Sequence, residues 1–203
     1  DIYIVIILIG DSTNIQCFNI PKKCQIVHFR QFLYASNSFG NDFCKEYGKE
    51  LTLVFEPGKF LVSEAGHFLC SVNSIKQTTS TVFAQVDSGF NHFVRPMMYG
   101  SNHHIENISN PNDTERFYSV VGYICETDTF ATNRRISKIN EGDVLCFKNA
   151  GAYCFSMTSN YNSRYKPPEI LFINNKFIEI RKRETIEDLT KNQIEINFET
   201  FVN

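Results

Sequence analysis

A thiol and a carboxylate stand side by side at Cys125-Glu126, and the residues that follow, Thr127-Asp128, are typical of a turn. A lone cysteine at the end of a strand is normally inert packing. A cysteine followed by a carboxylate and a turn is instead placed to act as a positioned acid. This pair is therefore a candidate for proton chemistry.

A second candidate is the segment Glu56-Pro57-Gly58-Lys59. A Pro-Gly turn after a strand is most often only a turn. Gly58 can, however, let a backbone N–H approach a phosphate closely, while Lys59 offers a cation to a phosphate or a carboxylate. The segment therefore indicates an anion site at the end of a strand.

The third candidate is Arg95-Pro96-Met97-Met98-Tyr99, in which an arginine with paired donors precedes a phenol. Such a pair suits a ligand carboxylate, although a surface arginine and a core tyrosine are the simpler interpretation. The five histidines have no metal-ligand spacing, so we expect no metal. The adjacent His103-His104 is predicted to lie on a solvated loop or a strand edge.

These residues must be positioned by short β segments, because turn signals divide the chain beyond Lys59. Six or seven short strands at this spacing predict an antiparallel barrel or sandwich. The predicted strands are Gly66 to Ile75, Val82 to Val86, Phe117 to Ile124, Arg134 to Ile139, Val144 to Phe147, Glu169 to Ile173 and Lys176 to Arg181.

The N-terminal part has a different character. The spacing of Phe39, Phe43 and Tyr47 predicts a helix that Gly48 ends. The nearly all-apolar run Leu51 to Phe55 predicts a buried parallel strand. A further buried parallel strand is predicted from Ile2 to Ile9, and a last helix is predicted to begin at Thr185 with Asp188 in a capping-box position.

Composition narrows the possible functions. Apolar residues make up 42% of the 203 residues, charged residues 21%, and the net charge is -2. These values disfavour a disordered chain and a nucleic-acid-binding surface, so we expect a small ligand. Seven irregularly spaced cysteines without a CxxC pair favour free thiols in a reducing cytoplasm. The apolar N-terminal run is too short to span a bilayer, and we expect no membrane contact.

The run Gly151 to Arg164, read together with Cys125-Glu126-Thr127-Asp128, closely resembles the C-terminal domain of diaminopimelate decarboxylase. That family consists of pyridoxal-phosphate (PLP) enzymes with the alanine-racemase-like fold, and the resemblance covers about residues 41–195. It implies a mainly β chain: a C-terminal antiparallel β-barrel or sandwich domain of a fold-type III PLP decarboxylase, preceded by the last β/α piece of a (β/α)8 barrel. Residues 1–60 would be a remnant of the PLP-binding barrel, with 1–40 unassignable, and residues 61–203 the β domain.

The resemblance also implies roles for single residues. Cys125 would deliver a proton, and Glu126 would engage the distal amino end of the substrate. Lys59, which replaces the arginine of the family's EPGR motif, would join Arg95 and Tyr99 in binding a substrate carboxylate. The residues expected to bind the cofactor are Glu56, Gly58 and Tyr153.

The implied reaction is decarboxylation of meso-2,6-diaminopimelate to L-lysine, the last step of lysine biosynthesis, in a homodimer with shared active sites. No lysine of this chain lies in the family's Schiff-base motif, so we expect a C-terminal fragment that is inactive by itself. One alternative is a non-catalytic partner of a full-length decarboxylase. Another is a related PLP decarboxylase that acts on ornithine, arginine or carboxynorspermidine.

Overall fold

The computed structural model describes residues 5–9, 41–49, 58–197 and 201. Helix α1 covers residues 41–47, and Gly48 follows it in the left-handed conformation at φ +77°, with its N–H donating to the Cys44 carbonyl at 3.0 Å. The predicted helix end is therefore confirmed. The predicted strand Leu51 to Phe55 and the site residue Glu56 lie outside the described residues.

The remaining elements alternate short strands with single helical turns. The helices are α2 Gly58–Val62, α3 Arg95–Tyr99 and α4 Ile186–Thr190. The strands are β1 Val5–Ile9, β2 Gly66–Gln77, β3 Val82–Val86, β4 Ile105–Asn107, β5 Glu115–Val121, β6 Thr129–Ser137, β7 Val144–Phe147, β8 Glu169–Ile173 and β9 Lys176–Arg181. The predicted bounds of β3, β7, β8 and β9 are confirmed, whereas the short strand β4 was missed.

Six of the strands form a nearly closed barrel. The long strand β2 pairs with β3 through its second half and with β7 through its first half, β3 pairs with β5, β5 with β6, and β7 with β4. The pair β3–β5 is parallel, so the prediction of an antiparallel domain is wrong at this place. The parallel pairing of β1 with β2 agrees with the parallel strand that was predicted for the N-terminal run. A chain that crosses the end of a barrel before it joins the next strand produces such parallel pairs.

Alternating side chains of β2 and β7 supply the two sides of the barrel wall. Phe68 and Phe147 point inward, where their ring centroids lie 5.5 Å apart. Leu69 and Cys146 point outward and pack against Ile170 of β8. This period of two is the pattern of a strand buried on both faces, and it explains why the first half of β2 is buried throughout.

Strands β1, β8 and β9 extend the sheet beyond the barrel. β1 pairs with β2 in parallel and with β8 antiparallel, and β9 follows β8. Helix α4 begins with the predicted capping box, in which the Thr185 N–H donates to Asp188 Oδ2 at 3.0 Å. Within the described part of the chain, no helix has the length and apolar character needed to cross a membrane.

Candidate functional site

Two backbone segments cross at one end of the barrel, and each has a glycine at the crossing point. A Cβ atom added to Gly66 would lie 2.4 Å from the Cα of Gly151, and one added to Gly151 would lie 2.0 Å from the Val62 carbonyl oxygen. The Gly151 N–H donates to the Ser63 carbonyl at 2.9 Å, and the Ala150 N–H donates to the Gly66 carbonyl at 2.8 Å. This contact fixes the loop after β7 against the end of α2 because side chains are absent at both crossing points.

The crossing places Tyr153 over the beginning of α2. A Cβ atom at Gly58 would lie 3.0 Å from the Tyr153 hydroxyl oxygen, so glycine lets the phenol and this backbone approach one another. Tyr153 itself has a left-handed backbone, with φ 57°. A non-glycine residue in this conformation is typical of functional sites, where the surrounding structure holds it.

Arg95 lies between two tyrosines. Its guanidinium carbon is 4.9 Å from the ring centroid of Tyr99 and 5.3 Å from that of Tyr153, distances typical of cation–π contacts. Helix α3 is a single turn that ends at Gly100 with φ 59°, so Arg95 and Tyr99 project from a tightly closed element. The predicted residues Gly58, Lys59, Arg95, Tyr99 and Tyr153 are hereafter the cationic cluster.

His103 lies beside this cluster, although no motif indicated it. The prediction of a solvated position is wrong for His103, which is 5% exposed, whereas His104 is exposed. The ring packs on Phe93 at 4.5 Å, and Nδ1 donates to the Lys148 carbonyl at 3.0 Å. Burial is the main cause that lowers the pKa of His103, and the charges of Lys59 and Arg95 lower it further. The imidazole is therefore neutral at neutral pH.

The cationic cluster carries unbalanced charge. In the described ranges, neither Lys59 nor Arg95 forms an ion pair with an acidic side chain, and the buried Nε of Arg95 has no hydrogen-bond partner there. Buried donors normally have a partner. The cluster can therefore bind an anionic group such as a phosphate or a carboxylate.

Asp128 organises the loop that carries the Cys-Glu pair. Its Oδ1 accepts from the Phe90 N–H at 2.8 Å and its Oδ2 from the Ile124 N–H at 2.9 Å. Burial raises the pKa of this carboxyl group to about 6, and the nearby charge of Glu126 adds to the rise. The two backbone hydrogen bonds act in the opposite direction and lower the pKa. Asp128 thus connects the loop after β3 to the loop after β5.

Cys125 and Glu126 are exposed at the tip of this loop, together with a tyrosine that the sequence analysis did not single out. The Cys125 thiol donates to Glu126 Oε2 at 3.4 Å, and the Tyr161 hydroxyl donates to Glu126 Oε1. The Tyr161 ring packs on Phe90, with centroids 5.3 Å apart. These four residues are hereafter the Cys-Glu cluster. Only its Cys-Glu pair was predicted, because Tyr161 is 35 residues away in sequence.

The two clusters are separate but neighbouring. Within the described residues, Glu126 accepts hydrogen bonds from Cys125 and Tyr161, and no side-chain hydrogen bond joins the Cys-Glu pair to a member of the cationic cluster. Pro96 and Met97 of α3 and Thr127 of the Cys-Glu loop line one cavity of about 350 Å³. The structure therefore brings Arg95 and Tyr99 into contact and leaves the Cys-Glu pair without a hydrogen bond to them.

The other thiols differ from Cys125. Cys70, Cys146 and Cys154 are buried. Burial raises the pKa of Cys146 to about 12 and that of Cys70 and Cys154 well above the ordinary value. Buried thiols of this kind are inert. Among the residues that the structure describes, no group of three histidine, cysteine, aspartate or glutamate side chains is arranged to hold a metal ion.

Comparison with known proteins identifies the domain. The profile of the family described as "Pyridoxal-dependent decarboxylase, C-terminal sheet domain" matches residues 24–151. The diaminopimelate decarboxylase of Methanothermobacter thermautotrophicus is 46% identical over 166 residues, which cover 79% of this chain and 38% of that protein. The enzyme of the same name from Buchnera aphidicola subsp. Baizongia pistaciae is 38% identical, over 88% of this chain and 46% of that protein.

Solved structures agree with this assignment. A diaminopimelate decarboxylase from M. jannaschii superimposes with a TM-score of 0.68 at 37% identity, over 79% of this chain and 37% of that one. The Helicobacter pylori enzyme complexed with L-lysine gives a TM-score of 0.63 at 31% identity, over 86% of this chain and 41% of that one. The chain spans less than half the length of these relatives. The matched profile, the relatives and the shared fold show that this chain belongs to the pyridoxal-dependent decarboxylase family and contains its C-terminal sheet domain.

Proposed function

We propose that this chain contributes to the PLP-dependent decarboxylation of meso-2,6-diaminopimelate to L-lysine. The observation that carries the proposal is the presence of two neighbouring clusters of opposite charge. A diamino dicarboxylic acid has carboxylates that suit the cationic cluster and a distal ammonium group that suits Glu126. The relatives that are 38–46% identical and carry the name diaminopimelate decarboxylase support the same substrate.

The cofactor would bind at the cationic cluster. The glycine at position 58 leaves room for a close approach of a phosphate to the backbone, and the phenol of Tyr153 lies at the same place as a donor. We propose Glu56, which precedes Gly58 by two residues in the sequence, as a further residue that binds the cofactor. PLP, when bound, supplies an electron sink for the carbanion that remains after carbon dioxide leaves.

The substrate would be oriented by residues of both clusters. Arg95 presents a planar set of donors and Tyr99 a hydroxyl to a substrate carboxylate, and Lys59 adds a point charge. Glu126 accepts a hydrogen bond from the distal ammonium group. Cys125 holds at Sγ the proton that the product carbon receives. Orientation of this kind lowers the activation barrier because the reacting groups are already in place.

We further propose a homodimer with shared active sites in the cytoplasm. Within the described residues no hydrogen bond joins the two clusters, which motivates this part of the proposal, since the cationic cluster of one subunit and the Cys-Glu cluster of its partner would then face the same substrate. Free thiols fit a reducing compartment.

An activity assay tests the reaction. The intact protein that contains this chain, supplied with PLP, should release carbon dioxide from meso-diaminopimelate and form L-lysine. Arg95→Gln should lower kcat/KM by roughly 10–10²-fold, because a charged donor to the carboxylate is lost, which corresponds to about 1.5–3 kcal/mol. The matched control is Arg116→Gln, an exposed arginine on β5 whose partner is Gln77. Faster turnover of ornithine, arginine or carboxynorspermidine would assign a different substrate, and an inactive protein would favour a non-catalytic partner.

A further inference from the structure

Both carboxylate oxygens of Glu126 are already engaged within the chain. Oε1 accepts from the Tyr161 hydroxyl, and Oε2 accepts from the Cys125 thiol at 3.4 Å. A ligand ammonium group that binds Glu126 must therefore share an oxygen with one of these two donors or displace it.

The two donors differ in strength. A phenol that donates to a carboxylate forms a charge-assisted O–H···O bond, whereas a thiol is a weak donor. The bond from Tyr161 is the first cause that lowers the pKa of Glu126, so this carboxylate stays ionised. The thiol is consequently the donor that a ligand displaces, and Oε2 is the exchangeable position.

The surroundings of Tyr161 keep its hydroxyl in place. Its ring packs on Phe90, and the Phe90 N–H is held by the same aspartate, Asp128, that holds the Cys-Glu loop. On the other side, Asn160 Nδ2 donates to the Arg164 carbonyl at 3.0 Å and closes the turn that contains Tyr161. Tyr161 and Glu126 are thus both connected to Asp128 as one support.

We propose that Tyr161 is a specificity-determining residue, which occupies Oε1 of Glu126 so that a distal ammonium group binds at Oε2 and displaces the Cys125 thiol. This inference deepens the proposed function and rests on it. The ligands concerned are amino acids with a second, distal ammonium group. Because one oxygen serves both the thiol and the ligand, ligand binding and thiol release are coupled, and the coupling is reciprocal.

Binding measurements separate this role from a structural one. The affinities of L-lysine and L-norleucine, which differ in the distal ammonium group, are measured calorimetrically on the intact protein loaded with PLP. Tyr161→Phe keeps the ring on Phe90 and removes only the hydroxyl. It should weaken L-lysine binding about 3–10-fold, because the exposed Glu126 carboxylate loses the hydrogen bond that orients it, and leave L-norleucine binding unchanged. Tyr165→Phe, which removes the same atom four residues away, is the control and should change neither affinity.

A second variant should have the opposite effect. Cys125→Ala removes the competitor at Oε2 and should strengthen L-lysine binding about 2–5-fold, again without a change for L-norleucine. The inference is overturned if Tyr161→Phe changes both affinities equally or neither, or if Cys125→Ala weakens L-lysine binding. A wild-type protein that binds L-lysine no more tightly than L-norleucine would overturn the proposed substrate itself, so the two failures can be distinguished.

Discussion

The cationic cluster and the Cys-Glu cluster are built in different ways. The first depends on backbone packing, in which Gly66 and Gly151 cross so closely that Tyr153 is fixed over Gly58. The second depends on side-chain hydrogen bonds at an exposed loop tip, with Asp128 as its support. The difference shows that one domain can position its positively charged residues by tight backbone packing and its carboxylate by a network of side-chain hydrogen bonds.

The two constructions imply different weaknesses. A close backbone crossing is disrupted when a side chain adds volume. A hydrogen-bond network is disrupted when a group gains or loses a proton or when an acceptor is removed. Substitutions in the first region should therefore damage folding, and substitutions in the second should mainly change pH dependence and chemistry.

The largest effect is expected for Gly151→Ala. The added Cβ would lie 2.0 Å from the Val62 carbonyl oxygen, a backbone atom that cannot move without displacing α2. We expect a loss of about 3 kcal/mol or more in the free energy of unfolding, measured by urea denaturation, with loss of PLP binding. Gly142→Ala is the control: its φ is +87° but its Cβ meets open space, so about 1 kcal/mol should be lost. Equal effects would remove the crossing as the reason for glycine.

The next largest effect concerns Cys125, the exposed thiol of the Cys-Glu cluster. Cys125→Ala should leave the urea midpoint unchanged and lower turnover of meso-diaminopimelate by about 10²–10⁴-fold, as expected for a lost proton donor. Cys44→Ala, at a half-buried thiol of α1, should preserve turnover.

Shared active sites can be tested with the same variant. Mixing Cys125→Ala with a variant inactivated at Arg95 should restore activity in heterodimers that assemble one intact site. Demonstrated heterodimers without activity would contradict sharing.

Much of the fold could be predicted because local signals and tertiary packing agree. The alternation and turn residues around β7, β8 and β9 specify each strand, and the Thr185-Asp188 pair specifies the start of α4. Strand direction could not be predicted in the same way. The parallel pairing of β3 with β5 depends on how the chain from Asp87 to Thr114 crosses the barrel end, and no local pattern records that path.

The sites were predicted through motifs, and what escaped prediction is non-local. Arg95, Tyr99 and Tyr153 come together as expected from the motifs. Tyr161 reaches Glu126 only through packing between distant segments, and His103, four residues after Tyr99, is held by the Lys148 carbonyl of a distant segment. A buried histidine and an exposed one, His103 and His104, are adjacent in sequence because successive residues of an extended segment face opposite sides.

A smaller effect is expected from the protonation of Asp128. Its pKa is about 6 in the folded chain and 3.8 in the unfolded chain, so between these values the native state binds more protons. Stability contributed by this group is present at low pH and decreases as pH rises from about 4 to 6, by at most about 3 kcal/mol. Asp128→Asn should remove this slope in urea titrations, while Asp113→Asn, at an exposed turn, should keep it. A slope that survives Asp128→Asn would assign the pH dependence to another group.

The smallest expected effect is a change in the pKa of His103, which reports the charge of the cationic cluster. Lys59 and Arg95 both lower the pKa of His103, so an anion bound between them should offset their charge and raise that pKa toward the ordinary value. Inorganic phosphate, added during a ¹⁵N NMR titration of the histidine rings, is the probe, and the resonance of the exposed His104 is the reference for general ionic effects. Lys59→Met should raise the pKa of His103 without phosphate and reduce the response to it. An unchanged His103 titration would mean that phosphate does not bind beside Lys59 and Arg95, and the cofactor phosphate would then have to be assigned elsewhere.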